Sequence, residues 1–229
     1  MFKNKSFLGI ILARGGSKRL PRKNILELKG KPLIAWTIEA GLKSRYLDKV
    51  IVSSDDNEIL SVADNYGADT LKRPEYLASD TATSFDAIKH VLECTDDFDY
   101  VVLLQPTSPL RNNYHIDEAI ELLGEKRADA IISVCEVDHS PLWSNKLPAN
   151  GSLEGFLTKE ANNRSQELDK YYRLNGAIYI CEEERMLKEN TLFIKDNIYA
   201  YIMDKKYSVD IDNEIDFRLV EILLNENNY

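Results

Sequence analysis

The chain has 229 residues, 44% of them hydrophobic and 29% charged, which fits one sizeable globular domain rather than a disordered segment. Its formal net charge of −9 argues against general nucleic-acid binding, and its longest apolar run, Phe7 to Ala13, is too short to cross a bilayer. Three widely spaced cysteines (Cys94, Cys135, Cys181) and three scattered histidines indicate neither a disulfide framework nor a zinc site, so a reducing cytoplasm is expected.

The opening Met-Phe-Lys-Asn-Lys and the apolar run after it loosely imitate a signal peptide. Arg14 ends the run, and a basic segment follows where a small-residue cleavage site would stand. The run therefore reads as a buried first strand, Phe7–Leu12. Further strands are expected at Lys49–Ser53, Tyr100–Leu104 and Ala130–Val137. All are rich in Val, Ile and Leu with little polar alternation, the pattern of a parallel sheet covered on both faces. Helices are expected between them. Leu33–Ser44 follows Pro32, Asn57–Tyr66 stops at Gly67, Thr83–Glu93 follows a polar stretch, and Asn113–Leu123 stops at Gly124.

From Asp138 to Lys170 the periodicity is lost, and Pro141, Pro148, Gly151, Gly155 and Asn162–Asn163 punctuate the chain. More than 30 residues without a pattern are unusual inside a compact domain, so 138–170 reads as an arm, lid or dimer contact. Regularity resumes with a strand at Gly176–Cys181, a short helix at Glu182–Asn190, a strand at Ile198–Met203 and a last helix at Asn213–Leu224. The β-α repetition implies a doubly wound α/β fold with a mostly parallel sheet. Residues 1–137 and 171–229 would form one α/β domain, with 138–170 inserted in it as a small arm.

Charge is unevenly spread. Between Arg14 and Lys31 stand seven basic residues and one acid, a local charge of +6 that leaves −15 for the remainder. A basic loop in an acidic chain is either a solvated surface or a local polyanion site, such as one for a triphosphate. The loop directly follows the first strand, and open α/β sheets bind ligands beyond the carboxyl ends of their strands. Gly15 and Gly16 permit close backbone approach, successive amides can form an anion nest, and Arg14, Lys18 and Lys23 add charged donors. There is no GxxxxGK[ST] and no GxGxxG, which excludes a Walker-type loop and a dinucleotide fingerprint.

The full string LARGGSKRLPRKN, residues 12–24, resembles the signature of the acylneuraminate cytidylyltransferases, the CMP-sialic acid synthetases. Further similar segments follow in order: KRPEYLASDTATSFDA, LLQPTSPLR, RLNGAIYI and SVDIDNEIDF. The related Kdo enzymes usually carry Pro where Asn24 stands. The resemblance covers essentially the whole chain and implies a nucleotidyltransferase-type fold that transfers CMP from CTP to a nonulosonate, with release of pyrophosphate. It implies phosphate contacts from Arg14, Ser17 and Lys23 and cytosine reading by Asn24. Base and ribose contacts would come from Arg73, Ser84 and the backbone near Ala82. On the sugar side it implies Gln105, Asn175, Tyr179 and Arg164, the last delivered across a homodimer by the arm. Many relatives have Arg-Arg-Gln where this chain has Arg164-Ser-Gln. Asp210 and Asp212 are two apart in an extended segment, so both carboxylates face one side. With phosphate oxygens they suit an octahedral magnesium site, the role the resemblance gives them. Asp80 and Ser84 are alternatively caps for the following helix, and Asp212 a cap for the last one. Arg111 reads as structural. CTP and a sugar acid are the expected partners, with neither nucleic acid nor membrane. A Kdo or sugar 1-phosphate nucleotidyltransferase is the rival enzyme, and a CTP-binding regulator the rival outside catalysis.

Overall fold

A computed structural model describes residues 2–157 and 169–226. The apolar runs form the expected strands: β1 (Phe7–Leu12), β4 (Lys49–Ser54), β6 (Tyr100–Leu104) and β7 (Ala130–Glu136). Their residues are almost all buried, because each strand is covered on both faces. Shorter strands β2 (Glu27–Leu28) and β3 (Lys31–Pro32) form a separate tight hairpin. Its two turn residues, Lys29 and Gly30, both have positive φ, as a twist-compatible two-residue turn requires. The remaining strands are β5 (Asp69–Lys72), β8 (Tyr172–Glu182) and β9 (Ile198–Ile202).

Seven strands make one sheet in the order β5-β4-β1-β6-β8-β7-β9. All neighbours pair in parallel except β8, which runs antiparallel to both β6 and β7. Helices α1 (Leu33–Leu42), α2 (Asn57–Asn65) and α4 (Asn113–Lys126) close one face, with Ile38, Ile59 and Ile120 in its core. Helices α3 (Ser84–Glu93) and α5 (Glu183–Glu189) close the other, around Ile88, Val91 and Met186. The last helix, α6 (Glu214–Glu226), docks through Val220 and Leu224 against Leu28, Leu33 and Leu110. The doubly wound, mostly parallel α/β reading therefore holds.

Several details differ from the sequence expectation. β5 lies at a sheet edge and is largely exposed, so it lacks an apolar run. β8 begins at Tyr172, four residues before the expected Gly176–Cys181 strand, because a bulge opposite Ile132–Val134 interrupts its pattern. α4 does not stop at Gly124. It continues to Lys126 and ends at Arg127 in the left-handed region, while a Cβ on Gly124 would meet the Phe2 ring at 2.4 Å. Between β7 and β8 the described residues carry one short turn, Pro141–Trp143. Arg164 and most of the second half of 138–170 lie outside the described residues. Among the described residues no helix is long and apolar enough to cross a membrane.

Capping is settled by geometry. Asp56 caps α2 through the amides of Glu58 and Ile59, Thr83 forms a capping box with Asp86 on α3, and Asn112 does so with His115 on α4. Asn213 caps α6, accepting from the amides of Ile215 and Asp216. Neither Asp80, Ser84 nor Asp212 serves as a cap, so all three side chains are free for other work.

The α4 cap gives a pH prediction. Burial pushes the His115 imidazole down to about 4, with Glu118 opposing and Arg111 and Lys206 adding to the effect. The unfolded chain thus takes up this proton at higher pH than the native one, and stability falls as pH drops from about 6.5 toward 4. His115→Gln keeps a neutral cap, and chemical denaturation across that window should show up to about 3 kcal/mol less acid sensitivity.

Candidate active site

The strand order reverses around β1, whose neighbours β4 and β6 lie on opposite sides. In such folds the crevice opens at the carboxyl ends of the strands flanking that point. A cleft of 470 Å³ lies there, reaching from Leu12 on β1 to Leu104 and Gln105 beyond β6. A second hollow of 350 Å³ adjoins it, sharing Leu12, Arg14 and Ser84.

Residues 13–24 wrap the first cleft. The Ala13 amide still donates to Ser53 O, after which the chain leaves the sheet. The Gly15 amide donates to Asp55 Oδ1 at 3.1 Å, and a Cβ on Gly15 would meet Asp56 Oδ2 at 2.7 Å. Gly15 is therefore demanded by the carboxylates at the end of β4. Gly16, by contrast, faces open space. Arg22 sits at φ 55°, turning the chain so that Asn24 points inward. Asn24 is 5% exposed, and its amide nitrogen donates to Arg14 O at 3.1 Å. Its Oδ1 is buried without a partner, an acceptor facing no donor of the protein.

The basic side chains are held by carboxylates from distant parts of the chain. Arg14 Nη1 and Lys18 Nζ meet Asp80 at 3.2 and 2.5 Å. The Lys18 hydrogen bond, followed by the charges of Lys18 and Arg14, holds Asp80 below the usual carboxylate range. Arg19 Nη1 lies 2.7 Å from Asp212 Oδ2, and Lys23 Nζ 3.2 Å from Asp212 Oδ1. Lys23 also donates to Ile211 O at 2.5 Å. Arg73 is buried in the adjoining hollow, 4.0 Å from Asp55, with Nε unpaired. Burial pulls its pKa down despite Asp55.

Arg14, Ser17, Lys23, Asn24, Ser84, Gln105 and Asp212 all border the main cleft, while Arg73, Ala82 and Ser84 border the second. Asn175 does not border either. It is 2% exposed; its Oδ1 accepts from Ser133 Oγ at 2.6 Å, and its Nδ2 donates to Ser208 Oγ at 3.0 Å. Its amide thus ties β7, β8 and the segment before α6 together. Tyr179 is partly buried beside Phe193, with ring centroids 6.1 Å apart. Its phenol is pushed up by burial first and by the charge of Asp210 second. Sequence reasoning missed Asp55 and Asp56, although two aspartates at the end of an apolar strand were a visible signal. It also missed Gly176, where a Cβ would meet Gln105 Oε1 at 2.7 Å.

Among the described residues no cluster of three or more His, Cys, Asp or Glu forms a ready metal cage. Two carboxylates suffice for magnesium when ligand phosphates and water complete the shell. Asp210 fits that requirement: its Oδ1 is buried and unpaired. Burial first, with Asp212 adding, raises its pKa against the hydrogen bond from Thr107. A raised carboxyl pKa means the folded protein binds this proton more tightly than the unfolded chain. Its ionisation at neutral pH therefore costs stability. Asp210→Asn should raise the neutral-pH melting temperature of the ligand-free protein, by about 2–4 °C per kcal/mol gained. The gain should shrink below the ordinary carboxylate range, which melting curves taken across pH would check.

A family model described as cytidylyltransferase matches residues 8–223. The chain is 42% identical to the N-acylneuraminate cytidylyltransferase of Escherichia coli O18:K1:H7 over 93% of its own length and 50% of that protein. It thus spans about half the length of the N-acylneuraminate cytidylyltransferases it matches. With the pseudaminic acid cytidylyltransferase of Campylobacter jejuni it shares 35% identity, covering 96% of this chain and 97% of that one. The fold superposes with a TM-score of 0.73 on a solved CMP:2-keto-3-deoxy-manno-octonic acid synthetase complexed with CTP. That match covers 96% of this chain and 99% of the other, and at 16% identity it speaks for the fold. The basic loop beyond β1, the facing Gln105 and the paired aspartates before α6 thus stand in a chain that belongs to the cytidylyltransferase family.

Proposed function

We propose that this protein activates a sialic-acid-like nonulosonate by transferring CMP to it from CTP, with release of pyrophosphate. The observation that carries the reading is the cleft itself. Arg14, Lys18, Arg19 and Lys23 line one side, and a carboxamide, Gln105, faces them from the end of β6. The names of relatives matched at 42% and 35% identity support CTP as donor and a nonulosonate as acceptor.

The triphosphate would exchange with Asp80 and Asp212 for the basic side chains. Those ion pairs are largely exposed and worth little, so a multiply charged ligand displaces them readily. Arg14, Ser17 and Lys23 then hold the phosphates. The unpaired Asn24 Oδ1 supplies an acceptor for the exocyclic amine that distinguishes cytosine from uracil. Arg73, Ser84 and the backbone at Ala82 border the hollow where base and ribose would lie. Gln105 faces the sugar acid, with Tyr179 and Asn175 behind it. The anomeric hydroxyl oxygen attacks the α-phosphorus and its proton passes to solvent, while the bond from the α-phosphorus to the bridging oxygen breaks in line and pyrophosphate leaves. Positioning and charge stabilisation supply most of the acceleration.

Asp210 and Asp212 would hold magnesium, which when bound neutralises phosphate charge and can acidify the attacking hydroxyl. Residues 138–170 would form the dimerisation arm inserted between 1–137 and 171–229, with Arg164 delivered to the partner's sugar site. The cytoplasm is the expected compartment.

The direct test is pyrophosphate release from CTP with a panel that includes N-acetylneuraminate, pseudaminate, legionaminate and Kdo. Turnover with a nonulosonate, preference for CTP over UTP, and loss of activity in excess EDTA are expected. Activity only with Kdo, or CTP binding without turnover, would overturn the reading. Arg14 gives a sharper check. Its contact with Asp80 is exposed on both sides, so Arg14→Ala should barely change the melting temperature. The same substitution should lower kcat by about 10²–10³, and Arg14→Lys should recover part of that loss.

A further inference from the structure

Arg111 is among the largest fully buried side chains of the protein, at 1% exposure. Among the described residues no carboxylate pairs with it, and its Nε and Nη1 have no hydrogen-bond partner. Burial pulls the guanidinium down to about 9, still above neutral pH, so a full positive charge sits inside the fold. An apolar side chain of similar volume would avoid that desolvation cost. What the charge does engage is narrow. Nη2 donates to Thr37 Oγ1 at 2.8 Å, and the Thr37 hydroxyl in turn donates to the backbone oxygen of Gln105 at 3.4 Å. Nη2 itself lies 3.5 Å from that same oxygen, and the Ser108 amide approaches it at 3.4 Å.

Each contact to the Gln105 oxygen is long and weak by itself. They nevertheless converge on one atom: the Gln105 carbonyl just beyond β6 accepts from Thr37 and Ser108 and lies within reach of Arg111, whose shorter bond goes to Thr37. The other end of the residue is also confined. The Gln105 carboxamide lies against Gly176, at φ 78°, where a Cβ would come within 2.7 Å of Oε1. Gln105 is therefore held at its carbonyl, its carboxamide passes close over Gly176, where a side chain would not fit, and the residue borders the cleft.

We propose that Arg111 is a positioning residue which, through Thr37 and the Gln105 carbonyl, fixes the direction in which the Gln105 carboxamide meets the sugar acid. The inference rests on Gln105 facing the sugar, as proposed above. A rotated carboxamide would leave its hydrogen bonds to the acceptor mismatched while the nucleotide site, on the other wall, stays intact.

The test is a double-mutant cycle on the full chain, with KM read for each substrate. Gln105→Ala should raise KM for the sugar acid by about tenfold and leave KM for CTP within roughly twofold. Arg111→Met should show the same split at a smaller size, roughly three- to tenfold, and Arg111→Lys should recover part of it. The double variant should be no worse than Gln105→Ala alone, because Arg111 acts only through that residue. Thr37→Val, which removes the relaying hydroxyl and leaves the guanidinium, should reproduce the split if Arg111→Met fails to fold. Equal rises in both KM values, multiplying effects in the double variant, or a lowered melting temperature with unchanged KM would overturn the proposal. The side-chain amide resonance of Gln105, assigned by its loss in Gln105→Ala, gives a readout independent of turnover. It should move in Arg111→Met and in Thr37→Val; an unchanged resonance in both sinks the relay. Should the unaltered protein turn over no nonulosonate, the functional reading fails in that arm, while the amide resonance still decides for or against the relay.

Discussion

Five cations crowd the loop that leaves β1, and their mutual repulsion must be offset before the fold can hold them together. The offset comes from carboxylates spread along the chain. Asp80 takes Arg14 and Lys18, Asp56 and Glu58 take Arg22, and Asp212 takes Arg19 and Lys23. Asp55 adds a hydrogen bond to the Gly15 amide. The placement of β4, of the segment after β5 and of the approach to α6 all serve this one loop. Because most of these pairs are exposed, they steady the loop at little cost to a ligand that must displace them.

Other polar groups around the cleft are not satisfied by the protein at all. Asn24 Oδ1, Arg73 Nε and Asp210 Oδ1 are buried without partners, and Arg111 and Ser108 repeat the pattern just behind Gln105. Buried unpaired groups are rare in folded proteins because each gives up its hydration without return. Most of them stand where the chain leaves β1, β5 and β6 or approaches α6, and Ser53 Oγ on β4 and His90 Nδ1 on α3 share the condition. The apolar layers supply the margin. Both faces of the central strands are closed, by Ile38, Ile59 and Ile120 on one side and Ile88, Val91 and Met186 on the other.

Not every residue singled out in the sequence stands at the cleft. Asn175 lies beneath it, bonded to Ser133 and Ser208, and so connects β7, β8 and the aspartate-bearing segment. Asp80 and Asp212, candidate helix caps in the sequence, are relieved of that task by Thr83 and Asn213. A cap needs a side-chain oxygen at one fixed distance from the first turn, and a neighbouring residue meets that condition in both cases.

The sequence by itself determined the layered α/β architecture, because unbroken Val, Ile and Leu runs have stable homes only in strands covered on both faces. It also determined the cleft's chemistry, since seven basic residues against one acid between Arg14 and Lys31 are visible without coordinates. The edge strand β5 escaped notice because an exposed strand needs no apolar pattern. The pairings of Lys23 with Ile211, of Arg111 with Thr37 and of Gln105 with Gly176 join residues 188, 74 and 71 positions apart. Only the tertiary structure decided these. Local periodicity reports which face of an element is buried, whereas the partner met on that face depends on sheet order and register, which arise from the packing of the whole chain.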